Sequence, residues 1–332
     1  MALNDSCSLS LMGMDFKQAL EKRFGEFFSL VATDKGDWTV KGFIDVYKNI
    51  YTISVDTKVV SKIVELMIFP VILDFARAND FKIVLATHQN HYPDVTFIGR
   101  KRHEKFALDL KSTYRLSPNK VNGMTLGAFT GYFRNRTSRK NISFPYSEYE
   151  KHYILGVIYS RADLFKATNE LEKAGYSITA DARKALGLYI AQQSPDALET
   201  LAALLGSPED DDKRDELKEL VQVCLIDEKK RYNLEQLPDI MSVVCEFDFF
   251  VREKWKVASD RPGSGNTKNI GSSTVIDELR NGTGVFTKQP NGEAVFNDYW
   301  MFYLTKDMAK AIDSTPPYKN LKTYLAYKEA AK

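Results

Sequence analysis

The 332-residue chain has little cysteine, little histidine and almost no net charge. Cys7, Cys224 and Cys245 are too few and too widely spaced for a disulfide framework or a zinc cluster, so all three read as structural. Long apolar runs are missing too. The longest, Leu66 to Leu73, contains Pro70 and falls far short of the roughly 20 residues that span a bilayer, so no membrane partner is expected. The opening residues, Met1-Ala2-Leu3-Asn4-Asp5, lack a basic region followed by an apolar one, which leaves the cytoplasm as the expected compartment. With 46 basic against 44 acidic residues the net charge is +2, too small by itself to point to a nucleic-acid partner.

What is present is an ordinary globular composition, 44% hydrophobic and 27% charged, at a length that suggests about two domains. Helical spacing marks Phe16 to Val31 and Asp56 to Ala78, the second with Pro70 placed to kink or restart it. Strand-like runs follow at Phe81 to Ala86, Val95 to Ile98, Phe106 to Tyr114 and Ile154 to Tyr159. Asp163 to Gln222 is rich in Ala, Leu, Glu and Lys and predicts about three helices. Strands return at Met241 to Phe250 and Trp255 to Ala258, before a polar, glycine-rich loop from Ser259 to Ser273. Helices near Val275 to Arg280, Phe296 to Tyr303 and Tyr318 to Ala331 close the chain.

The charge is unevenly spread. Pro208 to Arg231 holds nine acids and six bases, so it carries −3 and the remainder +5.

Pro93-Asp94, then fourteen residues, then Asp109-Leu110-Lys111 match a metal-nuclease pattern written P-D…(D/E)-x-K. The bare pattern is weak, because Pro195-Asp196 with Glu216-Leu217-Lys218 matches as well. Context separates the two. On a strand, Asp109 and Lys111 leave the same face while Leu108 and Leu110 point to the core, an arrangement that a helix cannot give at this spacing. Phosphodiester hydrolysis requires charge to be stabilised on attacking, equatorial and leaving oxygens, and Mg²⁺ held by Asp94 and Asp109 suits that task. Lys111 can orient or deprotonate the water, or meet the phosphorane charge. The plain alternative is a surface Asp-Lys pair at a strand end. Glu65 shares a helix stripe with Lys62; it is either a solvated pair or a third carboxylate for a second metal or a water.

Gly263-Ser264-Gly265-Asn266-Thr267-Lys268-Asn269 lacks the third glycine of a dinucleotide loop and fails the spacing of a phosphate loop. Small polar residues with two Asn can instead reach base edges, where Asn pairs with adenine; otherwise this is a mobile surface loop. Arg100-Lys101-Arg102 and the run Arg134, Arg136, Arg139, Lys140 are either phosphate tracks or solvated faces.

Beyond this class-level fit, ordered blocks resemble the EcoRV-like type II restriction endonucleases of the PD-(D/E)xK superfamily. They include Asp56-Thr57-Lys58-Val59, Gln89-Asn90-His91-Tyr92-Pro93-Asp94, Asp109-Leu110-Lys111 with Thr113-Tyr114, and Thr125-Leu126-Gly127. Phe133-Arg134-Asn135, Lys254-Trp255, Gly263 to Thr267 with Asn269-Ile270-Gly271-Ser272, and Asp298-Tyr299-Trp300 follow in order. The resemblance implies an α/β fold with a restriction-endonuclease-like core, a central mixed sheet flanked by helices, plus a helical insertion. It divides the chain into an N-terminal core part with the catalytic centre (1–161), an insertion (162–231) and a C-terminal core part with the recognition loop (232–332).

By position, the resemblance assigns metal binding to Asp94, Asp109, Leu110 and Glu65, and catalysis to Asp94, Asp109, Lys111 and Glu65. Gly263 to Asn269 would read outer bases in the major groove, Gln89 and Asn90 would lie at the minor groove, and Thr57, Lys58, Thr125 and Arg134 would approach DNA. It implies a Mg²⁺-dependent homodimer that cuts double-stranded DNA at GATATC to blunt ends, with a cognate DNA methyltransferase protecting host sites. Lys268 and His88 depart from the family's residues. Other readings are a repair or recombination nuclease on the same core, and a sequence-specific DNA-binding protein that does not cut. The insertion, acidic at one end, is expected to lie peripherally, away from phosphates.

Overall fold

The computed structural model describes residues 16–88, 91–206, 210–225, 231–263 and 266–330. Cys7, Gln89, Asn90, Ser264, Gly265 and Ala331 lie outside the described residues, as do 207–209 and 226–230 of the acidic segment.

The helix expected over Phe16 to Val31 is two, α1 (Phe16–Glu21) and α2 (Phe24–Val31). Arg23 leaves helical geometry at φ −90°, ψ 0°, which lets Phe16 and Leu20, and separately Phe27 and Val31, turn into the core. A small hairpin, β1 (Gly42–Ile44) and β2 (Ile50–Thr52), precedes α3 (Thr57–Ala78). Asp56 caps α3 by accepting from the Lys58 and Val59 N–H groups at 2.8 and 3.3 Å. The helix continues unbroken past Pro70, because its buried stripe of Val60, Val64, Ile68, Ile72 and Phe75 packs along its whole length.

Next come β3 (Phe81–Leu85), β4 (Val95–Gly99), β5 (Lys105–Ser117), β6 (Lys120–Val121), β7 (Thr125–Ala128) and β8 (Lys151–Arg161). Beyond β8, the segment expected as about three helices forms four: α4 (Ala162–Lys173), α5 (Ala180–Gln192), α6 (Pro195–Leu204) and α7 (Asp211–Gln222). The extra break falls where Gln193 takes a left-handed conformation and Ser194 caps α6 ahead of Pro195. These helices share their own core of Leu171, Leu186, Leu201, Leu217 and Val221.

β9 (Arg231–Tyr232) pairs with β2, and β10 (Val244–Glu253) completes the central sheet, whose order is β10-β8-β5-β4-β3. β5 and β8 run parallel, with Asp109 opposite Ile154 and Lys111 opposite Gly156, while the other neighbours are antiparallel. The sheet is therefore mixed and flanked by helices, as expected, with one apolar core on its α3 face and another on its opposite face.

Two expectations beyond β10 are corrected. The strand predicted over Trp255 to Ala258 is mostly a helical turn, α8 (Lys254–Val257). The polar stretch predicted as a loop is a hairpin, β11 (Ala258–Gly263) and β12 (Asn266–Ser272). Its order comes from long-range pairing with β7, which carries no local periodicity, and Gly271 permits the approach: a Cβ there would lie 2.6 Å from the Arg261 carbonyl oxygen. Helices α9 (Ile276–Asn281), α10 (Gly292–Phe302), α11 (Lys306–Lys310) and α12 (Leu321–Ala330) close the chain. Cys224 and Cys245 are buried free thiols, and no described helix is long and apolar enough to cross a membrane.

Candidate active site

Three residues from two adjacent strands meet at one point. Asp94 stands just before β4, and its Oδ2 accepts the Leu110 N–H of β5 at 2.7 Å. Asp109 and Lys111 share a face of β5, and the Lys111 Nζ lies 2.7 Å from Asp109 Oδ2 and 3.9 Å from Asp94 Oδ2. The ammonium also donates to the Leu110 carbonyl at 3.1 Å. Leu108 is fully buried on the other face, and Leu110 packs half-buried against the same core, so strand alternation sorts the residues as their spacing predicts.

The electrostatics are those of two carboxylates short of positive charge. Burial, and then the charge of Asp109, push the Asp94 carboxyl up to about 7 against the pull of Lys111. Burial alone would lower the Lys111 ammonium, but Asp109 and Asp94 outweigh it and raise it. Asp109 is 4% exposed, and its buried Oδ2 has the Lys111 ion pair but no well-formed hydrogen bond. Such a set of hard oxygens, with the Leu110 carbonyl beside it, fits a divalent cation with oxygen preference. Leu110 can contribute only that carbonyl. Among the described residues no group of three His, Cys, Asp or Glu side chains converges, so further ligands would come from water or substrate.

A cleft of about 1090 Å³ opens over this point, lined by Thr57 and Lys58 from the first turn of α3, by Glu65, by Leu85 to His88, and by Thr125 of β7. Glu65 thus faces the same cleft, though its carboxylate is paired with Lys62 at 2.8 Å and acts on Lys111 only through its charge. Ser61 and Ser112, which share a hydrogen bond of 2.5 Å across the cleft, escaped the sequence reading. Ser112 follows Lys111, but nothing in the sequence brings Ser61 to it.

Around the hairpin, Gly263 is buried, and a Cβ on it would lie 2.6 Å from Thr125 Cγ2, so the end of β11 rests on β7. Asn266 pairs with Gly263, and Asn269 lies opposite Ala128. Thr267 lies between Asn266 and Lys268 on β12, and Lys268 is exposed, its carbonyl accepting from Phe129. Arg134 turns inward instead: it donates to the Tyr303 carbonyl and lies over the Phe129 ring at 5.5 Å.

The model of the restriction endonuclease EcoRV family matches residues 34–193 and 222–329, spanning the central sheet, the carboxylate pair and the hairpin. The chain belongs to that family. It is 28% identical over 268 residues to the type II restriction enzyme EcoRV of Escherichia coli, covering 80% of this chain and 82% of that enzyme. As a member of the EcoRV family it is a restriction endonuclease, a hydrolase whose substrate is DNA. The family match is interrupted between residues 193 and 222, a span that contains α6 and most of α7.

Proposed function

We propose that this EcoRV-family enzyme is a Mg²⁺-dependent endonuclease that cuts duplex DNA at the centre of GATATC, leaving blunt ends. The observation that carries the reading is the meeting of Asp94, Asp109 and Lys111 at the floor of the cleft. Asp94, Asp109 and the Leu110 carbonyl would hold Mg²⁺, with Glu65 an accessory carboxylate on the cleft wall. Bound there, the cation supplies charge stabilisation to the phosphoryl and leaving oxygens. Lys111, held between the two carboxylates, orients the attacking water or meets charge developing on the phosphate. Burial of Asp109 keeps its carboxylate from swinging into solvent, so the geometry is preorganised before substrate arrives.

Specificity is assigned to residues Gly263 to Asn269 in the major groove, with Gln89 and Asn90 at the minor groove. Thr57, Lys58, Thr125 and Arg134 are assigned to the DNA backbone or its approach. The inward hydrogen bond of Arg134 favours a supporting role for that residue over direct phosphate contact.

A homodimer is part of the proposal, since two-fold protein symmetry matches a palindrome. Supporting it, β1, β2 and the turn between them expose Phe43, Ile44, Val46 and Tyr47, the last two 89% and 83% exposed, an apolar edge that a second copy would cover. The same reading divides the chain into core parts 1–161 and 232–332 around an insertion, 162–231, and pairs the enzyme with a cognate DNA methyltransferase.

The test is digestion of a long sequenced DNA with Mg²⁺ or EDTA, followed by sequencing of the ends. Blunt ends at every GATATC, with Mg²⁺ only, are expected. Cuts at another palindrome would move the error to the hairpin, with Lys268 first in line, and cutting in EDTA would overturn the metal assignment.

A further inference from the structure

Behind β5, on the side away from the cleft, a lysine is buried where a lysine is costly. Lys254, the first residue of α8, is 1% exposed, and its Nζ has no hydrogen-bond partner. The ammonium lies 4.7 Å from the ring centre of Tyr92, 5.7 Å from that of Tyr146 and 5.8 Å from that of Phe133. Tyr132, Tyr92, Tyr146 and His152 form a stack beside it, with Tyr146 and His152 only 3.8 Å apart. Gly127 makes room: it has φ +86°, and a Cβ there would lie 3.4 Å from the Lys254 Nζ and 2.9 Å from the Tyr132 hydroxyl.

Aromatic faces attract a cation but do not replace its lost hydration, so a second source of stabilisation is needed. The charge that provides it is Asp109. That carboxylate favours the ammonium, whereas Lys111 and Arg136 oppose it and burial pulls it down to about 7. Asp109 thus stands between two lysines, Lys111 on the cleft side and Lys254 on the core side.

We infer that Lys254 is a positioning residue for the metal centre: its caged ammonium draws the Asp109 carboxylate toward the core and opposes a divalent cation bound at that carboxylate. The inference rests on the proposed metal site. It has a consequence opposite in sign to ordinary damage, because neutralising a buried packing residue loosens a binding site, whereas removing this charge tightens it.

The experiment is a Ca²⁺ titration of GATATC-duplex binding by fluorescence anisotropy at about pH 6.5, where the ammonium keeps its proton. Wild type, Lys254→Met, Lys254→Arg and Asp109→Ala are compared as full-length protein. Lys254→Met is expected to lower the Ca²⁺ midpoint by about tenfold, the effect of a charge worth one pKa unit, while Lys254→Arg stays near wild type. An unchanged or raised midpoint in Lys254→Met overturns the inference. If that variant fails to fold, as judged by circular dichroism, Lys254→Gln is scored in its place by the same criterion. Asp109→Ala separates the two readings: if it responds to Ca²⁺ like wild type, the metal site itself is wrong, and if it loses the response while Lys254→Met shows no shift, only the role of Lys254 fails.

Discussion

Asp94 and Leu110 are tied across two strands, the Asp94 Oδ2 accepting the Leu110 N–H at 2.7 Å. This bond fixes the carboxylate that precedes β4 to the middle of the Asp109-Leu110-Lys111 sequence on β5. One backbone donor therefore sets the spacing of the whole constellation, and it leaves the other oxygen of Asp94 for the cleft.

Asp109→Ala removes the buried carboxylate that Lys111 contacts at 2.7 Å. Cleavage is expected to fall by about a thousandfold in single-turnover assays, while the variant still binds duplex DNA in a gel shift. Retention of near-normal cutting would remove Asp109 from the centre.

Asn266→Ala tests base reading by the hairpin. Affinity for a GATATC duplex is expected to drop by about 1–3 kcal/mol, with little change for a non-specific duplex at the same salt. Equal losses on both would make the hairpin a backbone contact.

Lys254 also makes stability depend on pH. Its folded pKa is lowered to about 7 from 10.5, so between those values the unfolded chain binds a proton that the folded protein does not. The linkage slope is then positive, and stability contributed by this group rises from pH 7 towards 10 and is lost as pH falls through that window. The melting temperature of wild type minus that of Lys254→Met, measured in EDTA, should increase across it. A flat difference would mean that the ammonium is not desolvated as described.

Gly156 lies opposite Lys111 in the parallel β5–β8 register, and a Cβ on it would fall 2.0 Å from the Phe250 ring. Gly156→Ala should destabilise the protein by about 1–3 kcal/mol in urea unfolding, through overpacking between β8 and β10. The reduced stability is expected to come with slower cleavage, because β8 carries the strand that bears Lys111.

Local order is what sequence patterns report best. The strand over Phe106 to Tyr114 and the helix from Asp56 to Ala78 were legible because alternation and helical spacing each follow from one buried face. Asp109 and Lys111 could be placed on one face for the same reason. The break at Arg23 and the extra helix boundary at Gln193 depend on which way neighbouring side chains must turn to reach a core, and spacing alone does not record that.

The sequence by itself determined the residue types at the centre, their order and their separation along the chain, together with the match to the EcoRV family, since these are properties of the covalent chain. Tertiary structure alone decided that the Gly263 to Asn269 region is paired as a hairpin against β7, that Arg134 is drawn inward to Tyr303, and that Lys254 is enclosed behind Asp109. Each of these arises from groups distant in sequence competing for backbone partners or for desolvated space, and that competition is settled only when the whole sheet and both its cores are assembled.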